Sequence, residues 1–331
     1  MYRRRQVLLV GLCASLAVLA ACSSSAGRGS GNATQPTAPT ISQDCTSTTT
    51  DQAVCMPASS LNLDALPLGS GKISTSPEAG YLWVCQAPGG GQSVQTPPWV
   101  DTSTQTWSLT KKVAVKGDVR WHKKFKASHR GTEEVLVGNG LPARSGKFPV
   151  SPSDPAYPYN PDPTAITAHT VDVTLPYNPV KAASPQCVSP VVGVATNGIP
   201  IDDGFDEDGN DAAAIETQDV CHGHPNVPNG YHYHSLSPCL LSKKALTNTT
   251  QVGWALDGYG IYVEYNSQGQ LLTDADLDGC HGRTSVVRWH GKETDIYHYD
   301  MTMEFPYTVG CFVGTPAPAS DVIGIGYSGA S

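Results

Sequence analysis

Glycine and proline punctuate this chain so evenly that a long helix has no room in it. The sequence holds 33 Gly and 26 Pro in 331 residues, and in a helix interior these cost about 1 and about 3 kcal/mol relative to Ala. The apolar segments between them are short: Val113–Val115, Glu134–Val137, Thr170–Leu175, Pro190–Ala195 and Gly253–Tyr265. Several alternate or are β-branched, as in HTVDVTL, which is the period of a half-buried strand. Only Ala212–Ile215 and Leu240–Leu246 suit a helix, and both are short. The predicted fold is mostly β, a single large β-rich domain with long ordered loops.

The N-terminus reads as an address. Arg3, Arg4 and Arg5 precede VLLVGLCASLAVLAA, which is too short and wrongly flanked for a spanning helix and reads as a signal peptide over residues 1–21. It ends Leu19-Ala20-Ala21-Cys22, which resembles a bacterial lipobox with Cys22 as the lipidated residue. Acylation there anchors the chain stably to a membrane. The arginines also resemble a twin-arginine signal, so the export route stays open. Residues 22–44 are rich in Ser, Gly, Thr and Pro and read as a flexible tether. The expectation is an extracytoplasmic protein held to a bacterial cell membrane.

Charge agrees. The formal net charge is −8, and losing the three arginines of residues 1–21 takes it to −11. That balance excludes a nucleic-acid partner, which rewards basic patches. Removing Cys13 with the signal and Cys22 to lipid leaves Cys45, Cys55, Cys85, Cys187, Cys221, Cys239, Cys280 and Cys311. An even count in an exported chain predicts disulfides, and the absence of C-x-x-C argues against a Cys-rich zinc site.

The chain also resembles itself. GVATNGIPI (193–201) is similar to GWALDGYGI (253–261), DVCHGH (219–224) to DGCHGR (278–283), and YHYH (231–234) to YHYD (297–300), each followed by a cysteine. We read residues 190–240 and 250–315 as a pseudo-duplicated unit forming a core over 190–315, after an N-terminal β-rich part over 45–190 and before a tail over 316–331. If the units fold alike, Cys221 pairs with Cys239 and Cys280 with Cys311, leaving Cys85, Cys187, Cys45 and Cys55 to pair in the N-terminal part.

Four of ten histidines fall in CHGHPNVPNGYHYH, residues 221–234. Residues i and i+2 of a strand share a face, so His222 with His224, and His232 with His234, converge if the two segments form a hairpin around PNVPNG. Converging imidazoles bind zinc or copper. His281, His298 and Asp300 of the second unit are positioned to complete or mirror the site, and Asp219 and Asp278 to orient ligand histidines. The alternatives are a His/Asp acid–base pocket without metal and histidines that only pack. DADLDG opens like a calcium loop, with Asp274, Asp276 and Asp278 as donors. Its twelfth position is Ser285 where a bidentate Glu belongs, so an ordinary Asx/Gly turn is the competing reading. No G-x-S-x-G, H-E-x-x-H, Walker or dinucleotide motif occurs.

CHGH…GYHYH, GWALDGYGIY, LDGCHGR and YHYDMTMEFPYTVGCF together resemble the YHYH-domain proteins, and PPWV, VAVKGDVRW, GNGLPARSGKFPV and DPAYPYNPDPTAI resemble long members of that family. The resemblance spans roughly 95–315. It implies an exported or surface protein and implies no activity; it carries over to Cys221, His222, His224, His232 and His234. Three functions remain to be separated: a metal-binding protein, a cell-envelope protein that grips or hydrolyses glycan, and a structural domain that docks a small molecule or protein partner. The glycan reading needs exposed Trp99, Trp107, Trp121, Tyr157 or Tyr159 and paired carboxyls among Asp257, Asp278 and Asp300.

Overall fold

The computed structural model describes residues 45–47, 53–89, 96–159, 164–226 and 230–323. The segments read as signal peptide and tether, with Cys22 between them, lie outside the described residues, as do the residues beyond Ile323. Among the described residues no helix is long and apolar enough to cross a membrane.

The C-terminal half is one eight-stranded sheet. Its strands are β1 (Val191–Ala195), β2 (Pro200–Asp202), β3 (Gly223–Asn226), β4 (Gly230–Tyr233), β5 (Thr250–Ala255), β6 (Gly260–Val263), β7 (Gly282–Trp289) and β8 (Lys292–Asp300). Their order across the sheet is β3-β4-β2-β1-β5-β6-β8-β7. The centre is the antiparallel pair β1·β5, with Val194 opposite Trp254. Outward from it each side runs antiparallel, then parallel, then antiparallel: β1·β2, β2·β4 and β4·β3 on one side, β5·β6, β6·β8 and β8·β7 on the other.

Local chemistry explains the central strands. VVGVA is a continuous apolar run and is buried throughout, as suits a strand covered on both faces. Asn197-Gly198 and Asp257-Gly258 reverse the chain, with Gly198 and Gly258 at φ +86° and +90°, where a side chain is strained. Gly193 serves a different purpose: a Cβ there would stand 2.5 Å from the carbonyl oxygen of Trp254, so the central strands meet only because it is absent. The long apolar stretch Gly253–Tyr265 is therefore two strands and a turn.

The N-terminal part is built of smaller ladders. The largest joins Phe125–Arg130, Glu133–Gly138 and Val171–Pro176, the last alternating buried and exposed as its sequence predicts. Val113–Val115 forms no strand; only Val115 bridges to Asp219. Leu240–Leu246 forms no helix either. Pro238–Leu240 makes a single 3-10 turn and irregular turns follow; seven residues are too few to nucleate a helix by themselves, and Leu240, Leu241, Ala245 and Leu246 are packed without one.

Cys85–Cys187, Cys221–Cys239 and Cys280–Cys311 are disulfides. Cys45 and Cys55 are register partners in a short ladder, and Cys55 is disulfide-bonded. N-terminal segments pack directly on residues 211–219: the Gly69 amide donates to Asp211, the Trp99 indole to the Ala214 carbonyl and the Gly146 amide to Asp219. One hydrophobic cluster runs from Met56 to Val322.

Candidate metal centre

The segment 211–219 delivers a carboxylate that no sequence pattern marked. Asp211 caps the four-residue helix Ala212–Ile215 by accepting from the Ala214 amide. The helix is buried and stops at Glu216, whose extended backbone turns the chain toward the hairpin. Asp219 then organises a tight turn. Its carboxylate accepts the amides of Cys221 (2.8 Å) and Gly146 (2.7 Å) and the Tyr231 hydroxyl (2.9 Å). Asp219 thus holds backbone and a tyrosine, not a histidine, and the expectation that it orients a ligand is corrected.

Beyond that turn β3 and β4 pair antiparallel with His224 opposite His232. The two share a face, and His234, two residues on, shares it as well. Tyr231 and Tyr233 take the opposite face and are fully buried, Tyr233 accepting from the Asn197 amide nitrogen at 3.0 Å. Donor atoms of His224, His232 and His234 all lie within 4.8 Å of one another, in a buried setting. The Glu216 Oε2 atom stands 2.8 Å from His224 Nε2 and 3.1 Å from His234 Nε2; Asp202 Oδ2 is 3.8 Å from His232 Nε2.

The hydrogen bonds on the far side of the rings fix the tautomers. His232 Nδ1 faces the Gly230 carbonyl at 2.9 Å, and His234 Nδ1 faces that of Asp203. A carbonyl only accepts, so each Nδ1 carries a proton. In the neutral rings each Nε2 then presents a lone pair, and these two atoms are 3.0 Å apart. Two facing lone pairs repel unless a proton or a cation lies between them.

Electrostatics sharpens the point. Burial, with His224 and His234 beside it, holds His232 well below the usual imidazole range, which keeps it neutral. Burial also opposes charge on His234, but Glu216 outweighs it and raises that ring. Burial would raise Glu216, yet His224 and His234 pull it well below the carboxylate range.

His222 does not join them. It sits at φ +57° in the turn before β3, so the strand rule that pairs it with His224 does not apply. Its Nδ1 meets the Leu236 carbonyl at 2.9 Å, and burial, then Lys112, lowers it to about 4.

A second group forms on the other side of the sheet from Glu264, His298 and Asp300. His298 Nε2 is 2.7 Å from Glu264 Oε2 and 3.6 Å from Asp300 Oδ2. Burial, with the Glu264 carboxylate beside it, raises Asp300 to about 7 against the opposing pull of His298. In sheet order β4 and β8 are five strand steps apart, about 24 Å measured along the sheet at ~4.8 Å per step. His298 and Asp300 therefore do not complete the first group. His281 joins neither group: at φ +67° it directs Nε2 to Asp274 (3.0 Å) and the Thr302 hydroxyl (3.1 Å).

The acidic loop is also reassigned. Asp274 serves His281, Asp276 caps Thr273, and Asp278 accepts the amides of Cys280 and Gly282 and the Tyr297 hydroxyl, so the three carboxylates do not converge as a calcium loop requires. The aromatic side chains offered for glycan are inward. Trp99 and Trp107 are buried, and Trp121, Tyr157 and Tyr159 pack against the core. Asp257 accepts from Tyr299 and from the Gly314 amide. Glu216 and Glu264 were missed because each stands alone in sequence. An acidic residue closing the apolar run GIYV was the one available signal for Glu264.

The family model described as YHYH protein matches residues 172–273. The chain carries a YHYH-family region there, running from Val171–Pro176 through β6 and including the first histidine group but neither His298 nor Asp300. No curated protein and no solved structure matches the chain.

Proposed function

We propose that this chain is an extracytoplasmic, lipid-anchored protein that holds a transition-metal ion, zinc or copper, through His224, His232, His234 and Glu216. The observation that carries the reading is the 3.0 Å approach of His232 Nε2 and His234 Nε2, each with its proton committed to a carbonyl on the other side of the ring. A metal ion accepts both lone pairs, and backbone carbonyls behind ligand imidazoles are the usual second support of such sites. Donors at about 2.0–2.2 Å from a tetrahedral ion stand roughly 3.3 Å apart; the three closest donor contacts here, at 2.8, 3.0 and 3.1 Å, are somewhat tighter, and an ion would spread them slightly.

Three imidazoles and one carboxylate make four donors, the number of a closed structural site. The enclosure of His224 Nε2 and Glu216 Oε2 supports the same reading. The ion on this view is retained and stabilises the fold; it does not turn over substrate. The disulfides favour an oxidising compartment, and Cys22 after the apolar run supplies the anchor.

The test is elemental analysis of the exported chain, without added histidines, beside His232→Ala/His234→Ala. Zinc or copper near one equivalent in the first and none in the second is the expected result. No metal in either after reconstitution defeats the reading and leaves a His234–Glu216 ion pair as the account of the cluster.

A further inference from the structure

We propose that Glu264, His298 and Asp300 form a second divalent-cation site, with an oxygen-rich donor set suited to a harder ion than the first. The proposal stands on different residues and does not need the first site to be correct.

His298 Nδ1 is 3.0 Å from the Ile296 carbonyl, so its proton is committed there and Nε2 is the free ring atom. That atom faces two carboxylates, Glu264 at 2.7 Å and Asp300 at 3.6 Å. An imidazolium would satisfy Glu264 with one N–H and leave Asp300 unanswered. Asp300 is fully buried, and neither of its oxygens has a hydrogen-bond partner. Among the described residues its one ion-pair contact is the long one to His298, and a buried carboxylate without hydrogen bonds destabilises a fold unless a cation gathers it.

Glu264 is aimed into the same space. The Ser285 hydroxyl lies 3.2 Å from Oε1 and 3.3 Å from Oε2, the Arg283 guanidinium stands 3.9 Å from Oε1, and Oε2 is directed at His298. One donor atom from each of Glu264, His298 and Asp300 falls within 4.8 Å of the others. The separations of 2.7 and 3.6 Å bracket those between neighbouring donors around an ion bonded at about 2.1 Å. Two carboxylates and one imidazole suit Mn²⁺, Fe²⁺ or Zn²⁺, whereas three imidazoles lean toward copper and zinc. Arg283 occupies the β7 register position opposite His298 that His224 occupies opposite His232 on β3. The second group therefore lacks a second imidazole and gains carboxylate.

The experiment is titration of the full chain with Mn²⁺ alone, read by loss of the free-ion electron paramagnetic resonance signal. It is run on the wild type, Asp300→Asn, Glu264→Gln and His232→Ala/His234→Ala, and repeated with Zn²⁺ alone by calorimetry. The expected result is one bound Mn²⁺ in the wild type and in His232→Ala/His234→Ala, with affinity at least tenfold weaker in Asp300→Asn and in Glu264→Gln. Asp300→Asn also removes a buried charge, so the metal-free variant melts higher than metal-free wild type; a merely structural ion pair would move the other way. Mn²⁺ binding that survives Asp300→Asn and disappears in His232→Ala/His234→Ala overturns the proposal while leaving the first site intact. Failure of His232→Ala/His234→Ala to bind either ion, with a lower melting temperature for Asp300→Asn, also overturns it and makes the group an ion pair only.

Discussion

On the β3·β4 side of the sheet His224 stands opposite His232; on the β7·β8 side Arg283 stands opposite His298. Around those pairs the supporting structure is nearly the same. Asp219 and Asp278 each accept two amides of a tight turn and one tyrosine hydroxyl, from Tyr231 and Tyr297. His222 and His281 each take a left-handed backbone in that turn, and Cys221 and Cys280 each close a disulfide. What differs is the group on the facing surface: three imidazoles and Glu216 on one side, one imidazole with Glu264 and Asp300 on the other. The lesson is that the motif's Asp, Cys, first His and tyrosines build the scaffold, and the chemistry is set by a few positions that the scaffold leaves free.

On the proposed metal reading, the largest effect that could break this contrast is removal of the donors on the first side. Binding to the folded state alone stabilises by about 4 kcal/mol when free metal is a thousandfold above its dissociation constant. His232→Ala/His234→Ala should therefore unfold earlier than wild type in zinc by that order, and a chelator should erase most of the difference. His298→Ala should keep the zinc-dependent shift. Ligand imidazoles must be neutral, so zinc content should fall as pH drops below about 6.

Next comes Asp211. Phe205 bridges Asp211 on the first side, and Tyr265 bridges Leu271 in the matching place on the other. Burial raises Asp211 to about 6, above an unfolded value of about 3.9. The folded state then holds this proton more tightly, so the stability Asp211 lends is complete below about pH 4 and is lost as pH rises through about 6. Asp211→Asn should remove that decline, of the order of 2–3 kcal/mol, in urea unfolding of chelated protein between pH 4 and 7.

A smaller effect separates the two turn carboxylates. Asp219 is buried and serves the Gly146 amide as well, whereas Asp278 is exposed. Asp219→Asn should cost about 2 kcal/mol and Asp278→Asn about 1 or less, measured as a difference in denaturation midpoint. Smallest of all is His222→Gly. Relief of its positive φ offsets loss of the contact to Leu236, so stability should move by no more than about 0.5 kcal/mol. Metal content should not change; a loss of metal would restore His222 as a ligand.

The sequence made the β class legible through its Gly and Pro spacing, and made His224, His232 and His234 legible through H-x-H. Periodicity failed at His222, because the i, i+2 rule assumes a strand and the backbone there is a left-handed turn. It also could not find Glu216. That residue reaches the histidines only because a four-residue buried helix ends beside them, and a helix so short leaves no period to read. Asp219 and Asp278 looked like ligand supports because carboxylates next to histidines often are; their amide and tyrosine partners exist only once the turns have closed.

Cys85 and Cys187 are 102 residues apart in sequence, against 18 for Cys221 and Cys239 and 31 for Cys280 and Cys311. A chain made from its N-terminus must carry Cys85 as an open thiol until Cys187 emerges, with Cys45 and Cys55 already at hand as wrong partners. The correct bond then joins the N-terminal ladders to the start of the sheet just before β1. A host without a disulfide isomerase should therefore accumulate protein mispaired at Cys85 whose C-terminal bonds are nonetheless correct.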